Sequence, residues 1–149
     1  MGGGLAAFIL LRDIPEHGRL VVFTVLIAVF ADDTAAYFVG RTIGRHKMAP
    51  TISPGKSWEG FIGGTIAAMA VAFFAMYDQG FLTDLEALGF GAAIAVSSTL
   101  GDLFESAIKR DLGVKDSGRL LAGHGGVLDR IDSILWAGPA AFYVVLALT

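Results

Sequence analysis

Residues 87–110, ALGFGAAIAVSSTLGDLFESAIKR, begin as the inside of a membrane and end in charge. Positions 87–100 hold no ionisable group, and then Asp102, Glu105, Ser106, Lys109 and Arg110 follow in quick succession. A helix over 87–108 is long enough to cross a hydrocarbon core of about 30 Å, which takes roughly 20 residues. A carboxylate near the bilayer centre costs about 2.5–3.5 kcal/mol on insertion scales, so these acids must face something other than lipid. At about 100° per residue, Asp102, Ser106 and Lys109 fall in one narrow stripe, with Glu105 a little to one side. One helix face therefore carries acid, hydroxyl and amine together.

The rest of the chain agrees with a membrane setting. Of 149 residues, 54% are hydrophobic and only 17% charged, and the mean hydropathy is +0.66, too apolar for an ordinary soluble domain of this length. The composition and run lengths predict an all-α fold, a polytopic transmembrane helical bundle with cytoplasmic loops. Further spans are expected over 20–40, 58–77 and 133–149, and residues 1–11 read as the end of a helix whose beginning precedes this sequence. That first stretch has no basic region ahead of it, as a cleavable signal peptide would. With no cysteine, disulfide scaffolds, thiolate metal sites and cysteine nucleophiles are excluded together. Abundant glycine and alanine suit close helix contacts in lipid, and Gly60 and Gly64 form one GxxxG pair.

Loop charge sets the expected orientation. Residues 41–57 hold Arg41, Arg45, Lys47 and Lys56, and residues 109–132 hold Lys109, Arg110, Lys115, Arg119 and Arg130, whereas the turn DQGFLTDLE has neither lysine nor arginine. Positive residues in short loops favour the cytoplasm, so both basic loops are placed inside and the acidic turn outside. The segment RDIPEHGR then falls outside with two arginines balanced by two acids.

Asp32 and Asp33 share the problem of Asp102 and Glu105. Such acids face a polar interior, a partner cation or a metal, or else lie near helix ends and reach the interface. Asp33 shares a face with Tyr37, and Asp129 and Asp132 share one with Ser133 if the last helix begins at LDRIDSILW. Two carboxylates joined by a third from another helix suit a hard cation such as Mg²⁺. His17, His46 and His124 sit on separate loops without the spacing of a zinc site. His124, in GHGGVLDR, is flanked by glycines that let the backbone approach a phosphate or form a flexible turn. SPGKSWEG echoes a phosphate-binding loop, but proline stands at position 50 where the Walker pattern needs glycine. What remains is a lysine and a hydroxyl just ahead of a helix N-terminus, where anions are favoured. The inventory suggests phosphoryl or nucleotidyl transfer at a membrane surface.

The run SAIKRDLGVKDSGRLLAGHGGVLDRID, Ser106 to Asp132, resembles the signature of phosphatidate cytidylyltransferase, also called CDP-diacylglycerol synthase. That signature reads S-x-x-K-R, four residues, K-D, then H-G-G-x-x-D-R-x-D. DTAAYFVGRTIGRHKMAPTISPGKSWEG is similar to the family's D-T-x-A-Y and S-P-x-K-[ST]-x-E-G elements, so the resemblance covers nearly the whole chain. Ala122 stands where the family usually has proline. Family members are about twice as long, and the chain resembles their C-terminal catalytic half.

The resemblance implies that CTP and phosphatidic acid give CDP-diacylglycerol and pyrophosphate in phospholipid biosynthesis. It implies Asp102, Ser106, Lys109 and Asp129 as catalytic residues, with Asp102, Asp129 and Asp132 at Mg²⁺ and a second cation nearby. Arg110, Lys115 and His124 are expected at phosphates, Asp116 and Arg130 at the substrate, and Asp33, Lys56 and Glu59 on the nucleotide side or organising the loops. The expected partners are CTP, phosphatidic acid, the lipid bilayer and a second copy in a homodimer, with no nucleic acid. The expected setting is a bacterial inner membrane with the active site facing the cytoplasm. Asp102 lies about 10 Å along the helix from Lys109 at 1.5 Å per residue, a depth a lipid head group can approach. The competing readings are a CTP-dependent polyprenol or phytol kinase, a cation transporter or channel, and an inactive fragment of the enzyme.

Overall fold

The computed structural model describes residues 2–111 and 128–148, with side chains described over 3–111 and 133–148. Five helices carry the fold: α1 (Gly2–Arg12), α2 (Gly18–Ile43), α3 (Trp58–Met76), α4 (Asp84–Asp111) and α5 (Leu128–Leu148). The first three expected spans fall on α2, α3 and α4, each long and apolar enough to cross a membrane. Each runs up to a few residues past the expected bounds, except at the shared start of α3 and its end one residue early. The expected span 133–149 falls on α5, whose start lies within the signature.

The segment 41–57, expected as a plain loop, contains a short antiparallel hairpin of β1 (Lys47–Ala49) and β2 (Ser53–Ser57). Pro50 begins the turn between them, a place where its fixed φ is favoured. Pro54 is tolerated because a two-stranded ribbon has only edge strands, whose missing N–H need not join a ladder. The hairpin is the one departure from an all-helical fold among the described residues.

Helices α2 and α3 form the most extensive pair, α3 packs on α4, α4 on α5, and α5 on α1. The buried face of α2 runs through Val21, Val25, Ala28, Val29 and Asp32, a helical stripe that turns from apolar to acidic toward the hairpin end. It meets Ala68, Ala72 and Met76 of α3 and Phe90, Ile94 and Ala95 of α4 in one core. Outside, Phe23, Ile27 and Phe30 of α2, Ile62, Ile66 and Phe74 of α3, and Leu100 of α4 are exposed. An apolar exterior on helices of this length is what acyl chains solvate.

Small residues permit the tight α2–α3 contact. A Cβ on Gly60 would lie 2.7 Å from the Ala36 carbonyl oxygen, and one on Gly64 would lie 2.8 Å from that of Asp32 and overlap the Asp32 carboxylate. The GxxxG pair is therefore at a helix interface. On the other side, Gly101 is buried directly beneath Trp136, whose ring meets Phe104 edge-on at 5.4 Å. Ser97 donates to the Trp136 carbonyl oxygen at 2.8 Å. Over about two turns, Ser97, Gly101 and Phe104 of α4 thus grip Trp136 of α5, and Gly101 lies one position before Asp102.

Gly64→Ala forces backbone apart, because besides the Asp32 carboxylate, which can turn away, its Cβ meets the Asp32 carbonyl oxygen, which cannot. The expected loss is about 1–3 kcal/mol, read as a lower thermal unfolding midpoint in detergent. Gly89→Ala, where a Cβ meets nothing within 4 Å, is expected to leave the midpoint unchanged or raise it.

Candidate active site

The site lies where the C-terminal half of α2, the hairpin, the first turn of α3 and the C-terminal half of α4 meet. They enclose a cleft of about 690 Å³, lined by Asp32, Asp33 and Tyr37 of α2, Lys56 of β2, and Thr99 and Asp102 of α4 among others. The volume suits a nucleotide-sized ligand.

The hairpin is held down by its own ends. His46 donates its backbone N–H to the Glu59 carboxylate at 3.2 Å, and its Nδ1 lies 2.6 Å from Glu59 Oε1. Trp58 N–H donates to the His46 carbonyl oxygen at 3.0 Å. Ser57 caps α3, its hydroxyl accepting from the Gly60 N–H at 3.2 Å in the extended backbone conformation of an N-cap. The hydroxyl expected beside Lys56 is thus used to start a helix. From the far side, Arg110 at the end of α4 donates through Nε to the Ile52 carbonyl oxygen at 3.3 Å, across 58 positions of sequence. Glu59, expected on the nucleotide side or organising the loops, and Arg110, expected at phosphates, both tie the hairpin in this arrangement.

That positioning delivers Lys56 into the cleft. Its Nζ lies 2.6 Å from Asp102 Oδ2 and 3.5 Å from the Thr99 carbonyl oxygen. Asp102 also accepts a long hydrogen bond, 3.4 Å, from Ser106 one turn on. Lys109 pairs with Glu105 at 2.9 Å, both largely buried at 15% side-chain exposure. The stripe predicted for α4 is therefore present, with its acids matched to cations instead of lipid. Asp32 is 2% exposed and Asp33 exposed in the cleft, so Asp32 does not reach the interface as its alternative reading required. Asp32 Oδ1 has no hydrogen-bond partner among the described residues.

The structure brings Asp33, Lys56, Asp102, Ser106 and the Glu59 anchor to one end of the bundle. Asp129, Arg130 and Asp132 belong to α5, and their side chains are outside those described. Lys115, Asp116 and His124 lie outside the described residues. Among the described residues no three His, Asp or Glu side chains form a cation site by themselves. The donors present are carboxylate oxygens, the class a hard divalent cation takes, and an acid from another helix would be needed beside Asp102. Sequence reasoning noted Arg41 and Lys47 only as loop charges, yet both line the cleft, as does Tyr37. The i,i+4 spacing of Tyr37 and Arg41 was the signal that could have joined them.

The model of the cytidylyltransferase family matches residues 1–148. The chain is 48% identical over 134 residues to a phosphatidate cytidylyltransferase of Haemophilus influenzae, an alignment covering 87% of this chain and 46% of that protein. It is 47% identical over 135 residues to the enzyme of that name from Mycobacterium tuberculosis H37Rv, covering 90% of this chain and 41% of the relative. It is 40% identical over 139 residues to that of Bacillus subtilis, covering 93% and 52% respectively. The chain thus spans about half the length of the curated relatives it matches.

Lys56 and Asp102 are expected to be energetically coupled. A double-mutant cycle with Lys56→Met and Asp102→Asn, read by thermal unfolding in detergent, should give a coupling of about 1 kcal/mol, between an exposed ion pair and a desolvated charged hydrogen bond. Additive losses would show that the two side chains do not meet.

Proposed function

Since the chain belongs to the cytidylyltransferase family, we propose that it transfers the cytidylyl group of CTP to phosphatidic acid, giving CDP-diacylglycerol and pyrophosphate, as the catalytic C-terminal half of a longer enzyme. The observation that carries this reading is the meeting of Lys56 with Asp102 in a nucleotide-sized cleft at one end of an apolar bundle. The relatives' names support the substrates.

An oxygen of the lipid phosphate attacks the α-phosphorus of CTP, the bond to the β-phosphate oxygen breaks, and pyrophosphate leaves. Both reactants are anions, and the protein must bring them together. Asp102, with Asp129 and Asp132 from α5, would hold Mg²⁺, and a second cation is part of the same proposal. When bound, the metal screens repulsion between the phosphates and stabilises charge on the departing pyrophosphate. Lys56, already at Asp102, can share its donors between that carboxylate and a phosphate oxygen. Ser106 orients Asp102 through its hydroxyl. Lys109, one turn further along with Glu105 beside it, would meet developing negative charge. Arg110, Lys115 and His124 would bind phosphates, Asp116 and Arg130 would stand at the substrate, and Asp33 would face the nucleotide.

The bundle supports an integral membrane setting: three of its helices are long and apolar enough to span. The site is proposed to face the cytoplasm of a bacterial inner membrane, because the basic segment 41–57 and Lys109 and Arg110 fall at the hairpin end, and CTP is a cytosolic reactant. A homodimer is part of the proposal by family resemblance.

Radiolabelled CTP distinguishes the chemistry. Label from the α-phosphate should enter the lipid in an Mg²⁺-dependent reaction; label from the γ-phosphate in the lipid would instead identify a kinase. Asp102→Asn and Asp129→Asn should each lower formation of CDP-diacylglycerol by about 100-fold or more, the scale of losing a group that stabilises transition-state charge.

A further inference from the structure

The cleft is electrically divided. Its α2 wall runs from Asp32 and Asp33 to Arg41 near the helix end, and the hairpin adds Lys47 and Lys56, the latter meeting Asp102. Asp33 and Arg41 are eight positions apart on one helix, about 12 Å at 1.5 Å per residue. That length matches an extended nucleotide polyphosphate more closely than a single phosphate.

Arg41 is held ready. It donates from Nη1 to the Tyr37 hydroxyl at 2.7 Å, and its guanidinium carbon lies 5.9 Å from the centre of the Tyr37 ring. A guanidinium has five N–H donors in a planar fork, and the Tyr37 bond uses one. Neither Arg41 nor Lys47 forms an ion pair with a carboxylate among the described residues. Both are exposed at the cleft wall. Arg41 has the geometry for bidentate binding of a phosphate, and Lys47 supplies a second charge from the facing strand.

We propose that Arg41 and Lys47 form a subsite for the terminal β- and γ-phosphates of the nucleotide, and so for the pyrophosphate that leaves, with Tyr37 as the residue that positions Arg41. The proposal rests on the CTP reading above and adds direction to it. The nucleotide enters with its polyphosphate tail at Arg41 and Lys47 and its α-phosphate toward Asp102. After transfer, pyrophosphate is left at these two cations. The lipid phosphate, an anion of the same chemistry, approaches from the Asp102 side.

The test is calorimetric titration of the chain in nanodiscs with CTP, CMP and inorganic pyrophosphate, each with Mg²⁺, and with vesicles containing phosphatidic acid. Arg41→Ala and Lys47→Ala should each weaken CTP and pyrophosphate about tenfold while leaving CMP and phosphatidic acid within twofold. Arg41→Lys should fall between, because an ammonium cannot hold Tyr37 and chelate a phosphate in the same plane. Tyr37→Phe should weaken pyrophosphate about threefold. Both substituted cations are exposed, so loss of fold does not confound the comparison. Pyrophosphate affinity within twofold of wild type in both alanine variants overturns the subsite. So does an equal loss for CMP and CTP, and so does a loss confined to phosphatidic acid, which assigns the cations to the lipid. A wild-type chain that binds CTP but shows these results leaves the CTP reading standing. A wild-type chain that binds neither CTP nor pyrophosphate removes both.

Discussion

The ion pair between Lys56 and Asp102 joins the two parts of this protein that sequence separates most clearly, a polar hairpin and the charged end of an apolar helix. An acid near the membrane interior is tolerable only with a partner, and a hairpin of two short strands has too little apolar surface to hold its own position. Each solves the other's difficulty. The anchors at His46, Glu59, Ser57 and Arg110 then act as guides that bring Lys56 to one place over the bundle.

The bundle beneath must hold that place to within a fraction of an ångström, and in lipid it cannot rely on apolar attraction between helices. It relies on closeness. Gly60 and Gly64 let α2 and α3 touch along their backbones, and Gly101 lets Trp136 settle against α4 next to Asp102. The α2–α3 contact sets one wall of the cleft, and the α4–α5 contact sets the helix that carries Asp129 and Asp132. The same feature that stabilises the fold therefore sets the separation of chemical groups at its end. A charged ligand meets a cleft whose acids and cations are already sorted, with little reorganisation left to do.

Much of this was legible in the order of residues. The spans α2, α3 and α4 follow from run length, because a helix must satisfy its own backbone hydrogen bonds wherever water is absent. The stripe of Asp102, Ser106 and Lys109 follows from helical period alone, and the Ser106 bond and the nearby Glu105–Lys109 pair agree with it. The hairpin was not legible: strands of three and five residues, with Pro54 and Gly55 in the second and Pro50 in the turn, have no period to read. Nor was the tie of Arg110 to Ile52, which depends on where a distant backbone group arrives, whereas the Ser57 cap is a local bond to Gly60 three residues on.

The sequence by itself determined that this chain places acids among apolar helices and bases at their ends, and hence that the acids must turn from acyl chains toward a polar interior, a cation or the interface. Only the tertiary structure decided which cation meets which acid. Lys56 approaches Asp102 beside the Thr99 carbonyl, 43 positions away in the chain from Lys56, and Arg41 and Lys47 come to line one cleft. Charge attraction acts through space and is blind to chain order, so its pairings are settled by the fold that brings the side chains within reach.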